Sequence, residues 1–325
     1  MLKFCSAPWD TAHINYSSQM SGCFCGVWHK KGDIGSAAVH PISFLFNSQS
    51  QQEFRASIID QSFEYCKADT CVNFYRMDQV DQISYDPNKV YLPTTLQLQI
   101  DPVCNLKCSI CRRNNIYYTK ARPEAVQILN NIATEYQNFE GRVNVHCDGS
   151  GEVFVSRAYL DFFRREDLPK CFHFNIQTNG NLITKNMDII LKLQSQLEMV
   201  VVSLDAATEE TYKIVRGGNF SIVLDGIVEL KKLGIKVWTE YIVQTANYQE
   251  IPAYVNLCKE LGVNKISLQL MSFMNHMTPD WWNANSVEAS LTVDKQYLIS
   301  ILTELTNDPQ VEICGGLEYL LIKSS

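Results

Sequence analysis

From residue 92 onward, short apolar runs alternate with helical stretches, and this alternation restricts the chain to few folds. The runs lie at Leu96–Ile100, Arg142–Cys147, Phe172–Gln177, Met199–Leu204, Ile235–Val243 and Lys265–Leu270. Each has the length and apolar character of a strand in a covered parallel sheet. Between them, Glu124–Phe139 follows Pro123, a residue suited to a first helical turn. Thr208–Arg216 begins with an N-cap threonine and puts Glu209 and Glu210 where the helix dipole favours negative charge. Ser221–Leu233 stops at Gly234 and Ile251–Leu261 at Gly262, because glycine takes the left-handed conformation that ends a helix. Strand–helix units in series run their strands parallel, with right-handed crossovers. Six such units predict an α/β fold, a partial (β/α)6 barrel of parallel strands. A doubly wound sheet is the alternative that the strand pattern leaves open.

Before this alternation the chain is a succession of short segments and cysteines, ending in turn and linker signals at Asp86-Pro87-Asn88 and Pro93. The expected division is a small cysteine-rich module over 1–85 and the barrel over 92–325. A net charge of -7 argues against a surface that tracks phosphates, so no nucleic-acid partner is expected. No signal-peptide core and no uncharged apolar run of about 18 residues stands out, which predicts a cytoplasmic protein without a membrane partner. Twelve cysteines are therefore unusual. A reducing compartment disfavours disulfides, and eight of the twelve fall in two sets, 5/23/25/66/71 and 104/108/111. Such clustering points to metal.

The sharper set is Cys104-Asn105-Leu106-Lys107-Cys108-Ser109-Ile110-Cys111, a C-x3-C-x2-C loop just after the first strand of the series. Three thiolates can hold three irons of a [4Fe–4S] cluster, and the missing fourth ligand leaves one iron open to a small chelating molecule. A structural zinc loop is the competing reading; it needs a fourth ligand, which His146 or Cys147 on the next strand is positioned in sequence to supply.

Further segments fall at the C-terminal ends of successive strands, the edge where active sites of barrels and open parallel sheets assemble. They are Gly149-Ser150-Gly151-Glu152, Thr178-Asn179-Gly180, Ser203-Leu204-Asp205-Ala206 and Arg216-Gly217-Gly218. Together with the cysteine loop they resemble the radical S-adenosylmethionine (SAM) superfamily over about residues 92–270. The resemblance implies that Cys104, Cys108 and Cys111 carry the catalytic [4Fe–4S] cluster. It implies SAM contacts from Gly149, Ser150, Gly151 and Glu152 near the amino group, and from Ile110 against the adenine. The polar residue of the fourth strand, Ser203, would serve the ribose and Arg216 the carboxylate, with Asn179 and Asp205 as further cofactor-binding residues. Two positions depart from the family pattern: Ile110 stands where an aromatic is usual, and Val153 where proline is common.

The first cysteine set is similar to the SPASM or twitch modules of radical SAM enzymes, which bind auxiliary clusters, although those modules follow the barrel. It implies one auxiliary [4Fe–4S] cluster on Cys5, Cys23, Cys66 and Cys71, with Cys25 in reserve; a zinc knuckle is the alternative. Trp9, Trp28, Phe44, Phe46 and Phe54 are expected to fill the module's core. Cys258 reads as core, and Cys147 as core with a hydrogen-donor role as the alternative. Cys171 and Cys314 carry no assignment. Trp281-Trp282 would wall a pocket or cap the barrel.

The resemblance implies an enzyme that takes one electron from a reductant such as flavodoxin or ferredoxin. With it, the enzyme cleaves SAM to a 5′-deoxyadenosyl radical and abstracts hydrogen from a substrate C–H bond. The SPASM-like module implies a ribosomally made peptide as substrate, modified by crosslinking, epimerisation or oxidation. A carbohydrate or other small molecule is the runner-up. A non-catalytic iron–sulfur electron carrier is the alternative of another class, disfavoured because Gly149–Glu152 and Ser203–Asp205 are not needed merely to hold a cluster.

Overall fold

The computed structural model describes residues 2–23, 34–67, 71, 77–80, 86, 89–111, 116–148, 150–273 and 277–322. They form two compact units, Met1–Val103 with Tyr118–Asn175, and Cys104–Tyr117 with Ile176–Ser325. No helix among the described residues is long and apolar enough to cross a membrane.

The first unit runs β1 (Leu2–Phe4), α1 (Ala7–Asp10), β2 (Thr11–Ile14), β3 (Gln19–Ser21), β4 (Gly35–Ser36), α2 (Ile42–Phe46), α3 (Gln49–Ile59) and β5 (Asp78–Val80). It continues through β6 (Thr95–Leu98), α4 (Pro123–Tyr136), β7 (Val143–Cys147) and α5 (Arg157–Phe163). β6 pairs in parallel with β7, Leu98 opposite Cys147. On its other side it pairs in parallel with β2, Thr11 opposite Thr95. The chain before residue 86 is therefore tied into the sheet by a ladder, and the compact unit joins it to β6 and β7 where sequence signals suggested a linker. β3 and β4 extend the sheet antiparallel. α4 forms because its apolar residues recur at helical spacing; it buries Ala125, Ile128, Leu129, Ile132, Ala133 and Tyr136.

A small core in this unit gathers Phe54, Ile58 and Tyr65, with Phe4, Trp9, Phe63, Cys23 and Cys66 packed against it. Phe46 and Phe54 are buried as expected, but Phe44 is 61% exposed. α2 is five residues long and buries Ile42, Leu45 and Phe46, which turns Phe44 outward, where its ring lies 5.1 Å from that of His40. Trp28 lies outside the described residues. Arg55 is buried between the rings of Phe46 and Tyr91, and its guanidinium donates to Pro8 O and Phe46 O.

β8 (Phe172–Thr178) closes the first unit with Asn175 and opens the second with Ile176. The second unit then runs α6 (Met187–Leu193), β9 (Leu197–Ser203), α7 (Glu209–Val215), α8 (Phe220–Lys232), β10 (Val237–Val243), α9 (Ile251–Glu260) and β11 (Lys265–Leu270). It ends with α10 (Pro279–Asn285), α11 (Lys295–Leu305), β12 (Val311–Cys314) and α12 (Glu318–Ile322). β9, β10, β11 and β12 pair in parallel in that order. All six expected strands are present, and Thr208 caps α7 by accepting from Thr211 N at 3.3 Å. β12 was not expected: its four residues, Val-Glu-Ile-Cys, are too few to show a period and are all half-buried. The α/β class and its mostly parallel sheet are consistent with the partial barrel.

Buried parallel strands are commonly apolar on both faces. Here β10 alternates, with Val237, Thr239, Tyr241 and Val243 buried and Trp238, Glu240 and Ile242 half-buried. The register sets Glu240 beside Ser203 and Ser267. One face of this sheet packs on helices, and the other presents polar side chains.

Candidate active site

The cysteine loop is fastened by the second unit. Cys104 N–H donates to Ile116 O at 2.9 Å, and Ser109 N–H donates to Val215 O at 3.0 Å, which ties the loop to the end of α7. Ser109 Oγ donates to Gln244 Oε1 at 3.0 Å. Cys104 is half-buried, Cys108 buried and Cys111 exposed. Cys104 Sγ receives Leu106 N–H at 3.5 Å and lies 3.9 Å from Asn179 Nδ2, which also donates to Asn105 Oδ1 at 2.9 Å. Burial pushes the Cys108 thiol up to about 11, against the pull of Arg216. N–H donors and a nearby guanidinium are what a thiolate needs when it gives up water.

Asp205 follows β9 with φ of 57°, a left-handed conformation that a non-glycine residue keeps only when its surroundings hold it. Three contacts do so. Its Oδ1 accepts from Ile242 N–H at 2.7 Å, its Oδ2 from Arg216 Nη1 at 3.0 Å, and its carbonyl from Asn247 Nδ2 at 2.9 Å. Burial opposes the charge of Arg216, but Asp205, Cys108 and Cys111 more than offset this and hold its pKa above the ordinary arginine value. Arg216 Nε is buried with no hydrogen-bond partner among the described residues. Ser203 Oγ lies on the polar face, 3.4 Å from Glu240 Oε2.

In the first unit, the segment after β7 is fitted to the residues that lead into the cysteine loop. Glu152 N–H donates to Val103 O at 2.7 Å. A Cβ on Gly151 would stand 2.3 Å from Val103 O and 2.4 Å from Asp101 O, so only glycine fits there. Glu152 is 2% exposed, and its Oε1 accepts from Phe154 N–H at 3.1 Å. Ser150 is half-buried. Buried Asp101 organises this corner, accepting from Ser156 Oγ at 2.5 Å, from Val103 N–H at 3.3 Å and from Tyr118 Oη. Burial and the Asp101 carboxylate raise the Tyr118 pKa.

Among the predicted SAM contacts, the second unit gathers Asn179 at Cys104, and Arg216 on Asp205; Ile110 is half-buried in the loop itself. Gly149 and the reserve ligand Cys25 lie outside the described residues. Of the proposed auxiliary ligands, Cys23 and Cys66 share the Phe54–Tyr65 core, Cys5 follows Phe4 of that core, and Cys71 is buried. Cys147 and Cys258 are fully buried, as core residues are. Cys171 Sγ contacts Tyr136 O, and Cys314 Sγ lies 3.2 Å from Ser267 Oγ. Trp282 packs edge-on against Phe273. Sequence reasoning missed Asp101, Tyr118, Ser156 and Gln244, whose roles arise from long-range hydrogen bonds; Asp101-Pro102 immediately before the loop was the one local signal.

Among the described residues, no three His, Cys, Asp or Glu side chains stand close enough to share one metal ion. A four-iron cluster instead takes each thiolate on its own iron. The three-thiol loop, its N–H donors and the orphaned Arg216 Nε beside it fit such a cluster with an anionic ligand.

Residues 98–258 match the radical SAM superfamily, and the chain carries a domain of that family, whose enzymes use a [4Fe–4S] cluster and SAM for radical chemistry. It is 25% identical over 180 residues to a GTP 3′,8-cyclase of Alkaliphilus metalliredigens, covering 54% of this chain and 56% of that protein. To the GTP 3′,8-cyclase of Limosilactobacillus fermentum it is 27% identical over 195 residues, covering 56% and 55%. The chain thus spans about half the length of the curated relatives it matches. In fold it is similar to Streptococcus suis SuiB bound to precursor peptide SuiA, with a TM-score of 0.51 and 14% identity, covering 85% of this chain and 65% of that one.

Proposed function

We propose that this chain holds a [4Fe–4S] cluster on Cys104, Cys108 and Cys111, binds SAM beside it, and modifies a ribosomally made peptide by hydrogen abstraction. The cluster and SAM, when bound, supply a 5′-deoxyadenosyl radical. The chain's residues orient and shield that chemistry. The observation that carries the reading is the fastening of the cysteine loop to Asn179, Val215 and Gln244, with the Arg216–Asp205 pair alongside. In this proposal Arg216 meets the SAM carboxylate, Ser203 serves the ribose, Ile110 packs on the adenine, Gly149–Glu152 take the amino group, and Asn179 and Asp205 are further SAM-binding residues. Cys5, Cys23, Cys66 and Cys71 hold an auxiliary cluster, and a flavodoxin or ferredoxin delivers the electron.

A peptide is favoured over a nucleoside triphosphate by charge. A triphosphate calls for several cationic donors. Among the described residues the strands β9–β12 carry one cation on their polar face, Lys265, which is paired with Glu312 at 2.7 Å, and Arg216 after α7 is paired with Asp205 at 3.0 Å. The fold likeness to SuiB bound to a precursor peptide supports the same choice.

The test is anaerobic reconstitution followed by dithionite and SAM, with 5′-deoxyadenosine quantified. Slow formation is expected without substrate, faster formation with a pool of basic peptides, and no stimulation by GTP. The Cys104/Cys108/Cys111→Ala variant is expected to make none. Cleavage by that variant refutes the catalytic assignment; stimulation by GTP with a cyclised product refutes the peptide.

A further inference from the structure

The polar face of the second unit contains a carboxylate, that of Glu240, which makes no ion pair among the described residues. Glu240 Oε2 accepts from Gln177 Nε2 and, at 3.4 Å, from Ser203 Oγ, while Oε1 accepts from Gln269 Nε2 at 3.3 Å. All three partners are neutral. Arg216 is committed to Asp205 at 3.0 Å, and Lys265 to Glu312 at 2.7 Å. Burial, reinforced by the Asp205 charge, pushes the Glu240 pKa above the usual glutamate value, because the opposing pull of the Gln269 and Ser203 hydrogen bonds and of the more distant Arg216 charge is the weaker. A carboxylate taken from water without a counter-ion is costly, and the usual relief is a cation.

The arrangement is also one-sided in its hydrogen bonding. Gln177 Nε2 donates to Glu240 and Ser203, and Gln269 Nε2 to Glu240 and Ser267, so both amides spend their N–H groups while their Oε1 atoms accept no hydrogen bond among the described residues. The face thus offers a carboxylate and two amide oxygens, all acceptors. These residues and Ser203 are half-buried, whereas the opposite-face residues Val202, Thr239, Tyr241 and Leu268 are wholly buried. A ligand can therefore reach them from one side only.

We infer that Glu240, with Gln177 and Gln269, determines substrate specificity by taking a cationic, donor-rich group of the substrate, a primary ammonium or a guanidinium. The inference rests on the proposed function for placing a substrate on this face. A basic side chain of a peptide has the charge and the N–H groups to satisfy all three acceptors.

The probes are n-butylammonium and n-butylguanidinium, with butyrate and 1-butanol as controls, titrated into reconstituted holoenzyme with SAM and read by broadening of their alkyl proton resonances. Both cations are expected to bind, the controls not at all, and Glu240→Gln to weaken cation binding at least about tenfold. Gln177→Leu/Gln269→Leu keeps the carboxylate and is expected to weaken it several-fold; it serves if a melting curve shows Glu240→Gln unfolded. Butyrate or butanol binding as well as the cations overturns the inference, as does wild-type affinity in a folded variant. Wild-type enzyme that cleaves SAM yet binds neither cation overturns this inference alone. Cation binding lost on Glu240→Gln, in a protein that never cleaves SAM, supports this site and refutes the radical reading.

Discussion

Replacing Arg216 by methionine keeps most of the side chain's volume and removes its guanidinium. Asp205 is then a carboxylate 1% exposed, left with the Ile242 N–H at 2.7 Å as the remaining donor to its side chain. Removing one partner of a buried pair costs about 3–5 kcal/mol, because the other charge stays buried without compensation. That is a large fraction of the roughly 5–15 kcal/mol that stabilises a folded domain. Asp205→Asn should be milder, since asparagine tolerates the left-handed backbone at φ of 57° and still accepts from Ile242. In the double variant no charge is stranded, so its cost should fall below the sum of the singles by about 2 kcal/mol or more. Urea denaturation of the reduced apoprotein measures all four corners of this cycle without interference from cluster or SAM. A single-variant cost under about 1 kcal/mol, or strict additivity, would refute the claim that this pair holds the site's backbone.

Two further outcomes are expected. Gly151→Ala should fold poorly or lose the fit of Gly151 to the residues preceding the cysteines, because its Cβ would meet two backbone oxygens, at 2.3 and 2.4 Å, that cannot move aside cheaply; a melting temperature within a degree or two of wild type argues against that contact. Cys66→Ala/Cys71→Ala should lower iron content by about four atoms per chain after reconstitution, and full iron in the folded variant would remove the auxiliary cluster from consideration.

The strands and helix caps were legible because local chemistry specifies them. Thr208, Gly234 and Gly262 act within one turn of chain, and their effects coincide with the ends of α7, α8 and α9. The cysteine loop was legible for the same reason, since its three donors lie within eight residues. What escaped is what sequence separation hides. β2 reads as part of an irregular module until it pairs with β6, whose residues lie more than eighty positions away. Phe44 reads as core until a short helix turns it outward.

The same distinction separates the two carboxylates of the second unit. Asp205 stands in Ser203-Leu204-Asp205-Ala206, a local pattern that marks it as a candidate site residue in sequence, whereas its pairing with Arg216 and Ile242 N–H is visible only in the structure. Glu240 sits in Trp238-Thr239-Glu240-Tyr241-Ile242, where a sequence reading sees one charge in an apolar strand. Its significance appears only when parallel register sets it beside Ser203 and Ser267, and when the ion pairs of Arg216 and Lys265 prove to be with Asp205 and Glu312. A half-buried charge on an otherwise apolar strand is unfavourable to the fold by itself. Its presence in a strand whose other face is fully buried is what directs attention from stability to ligand recognition.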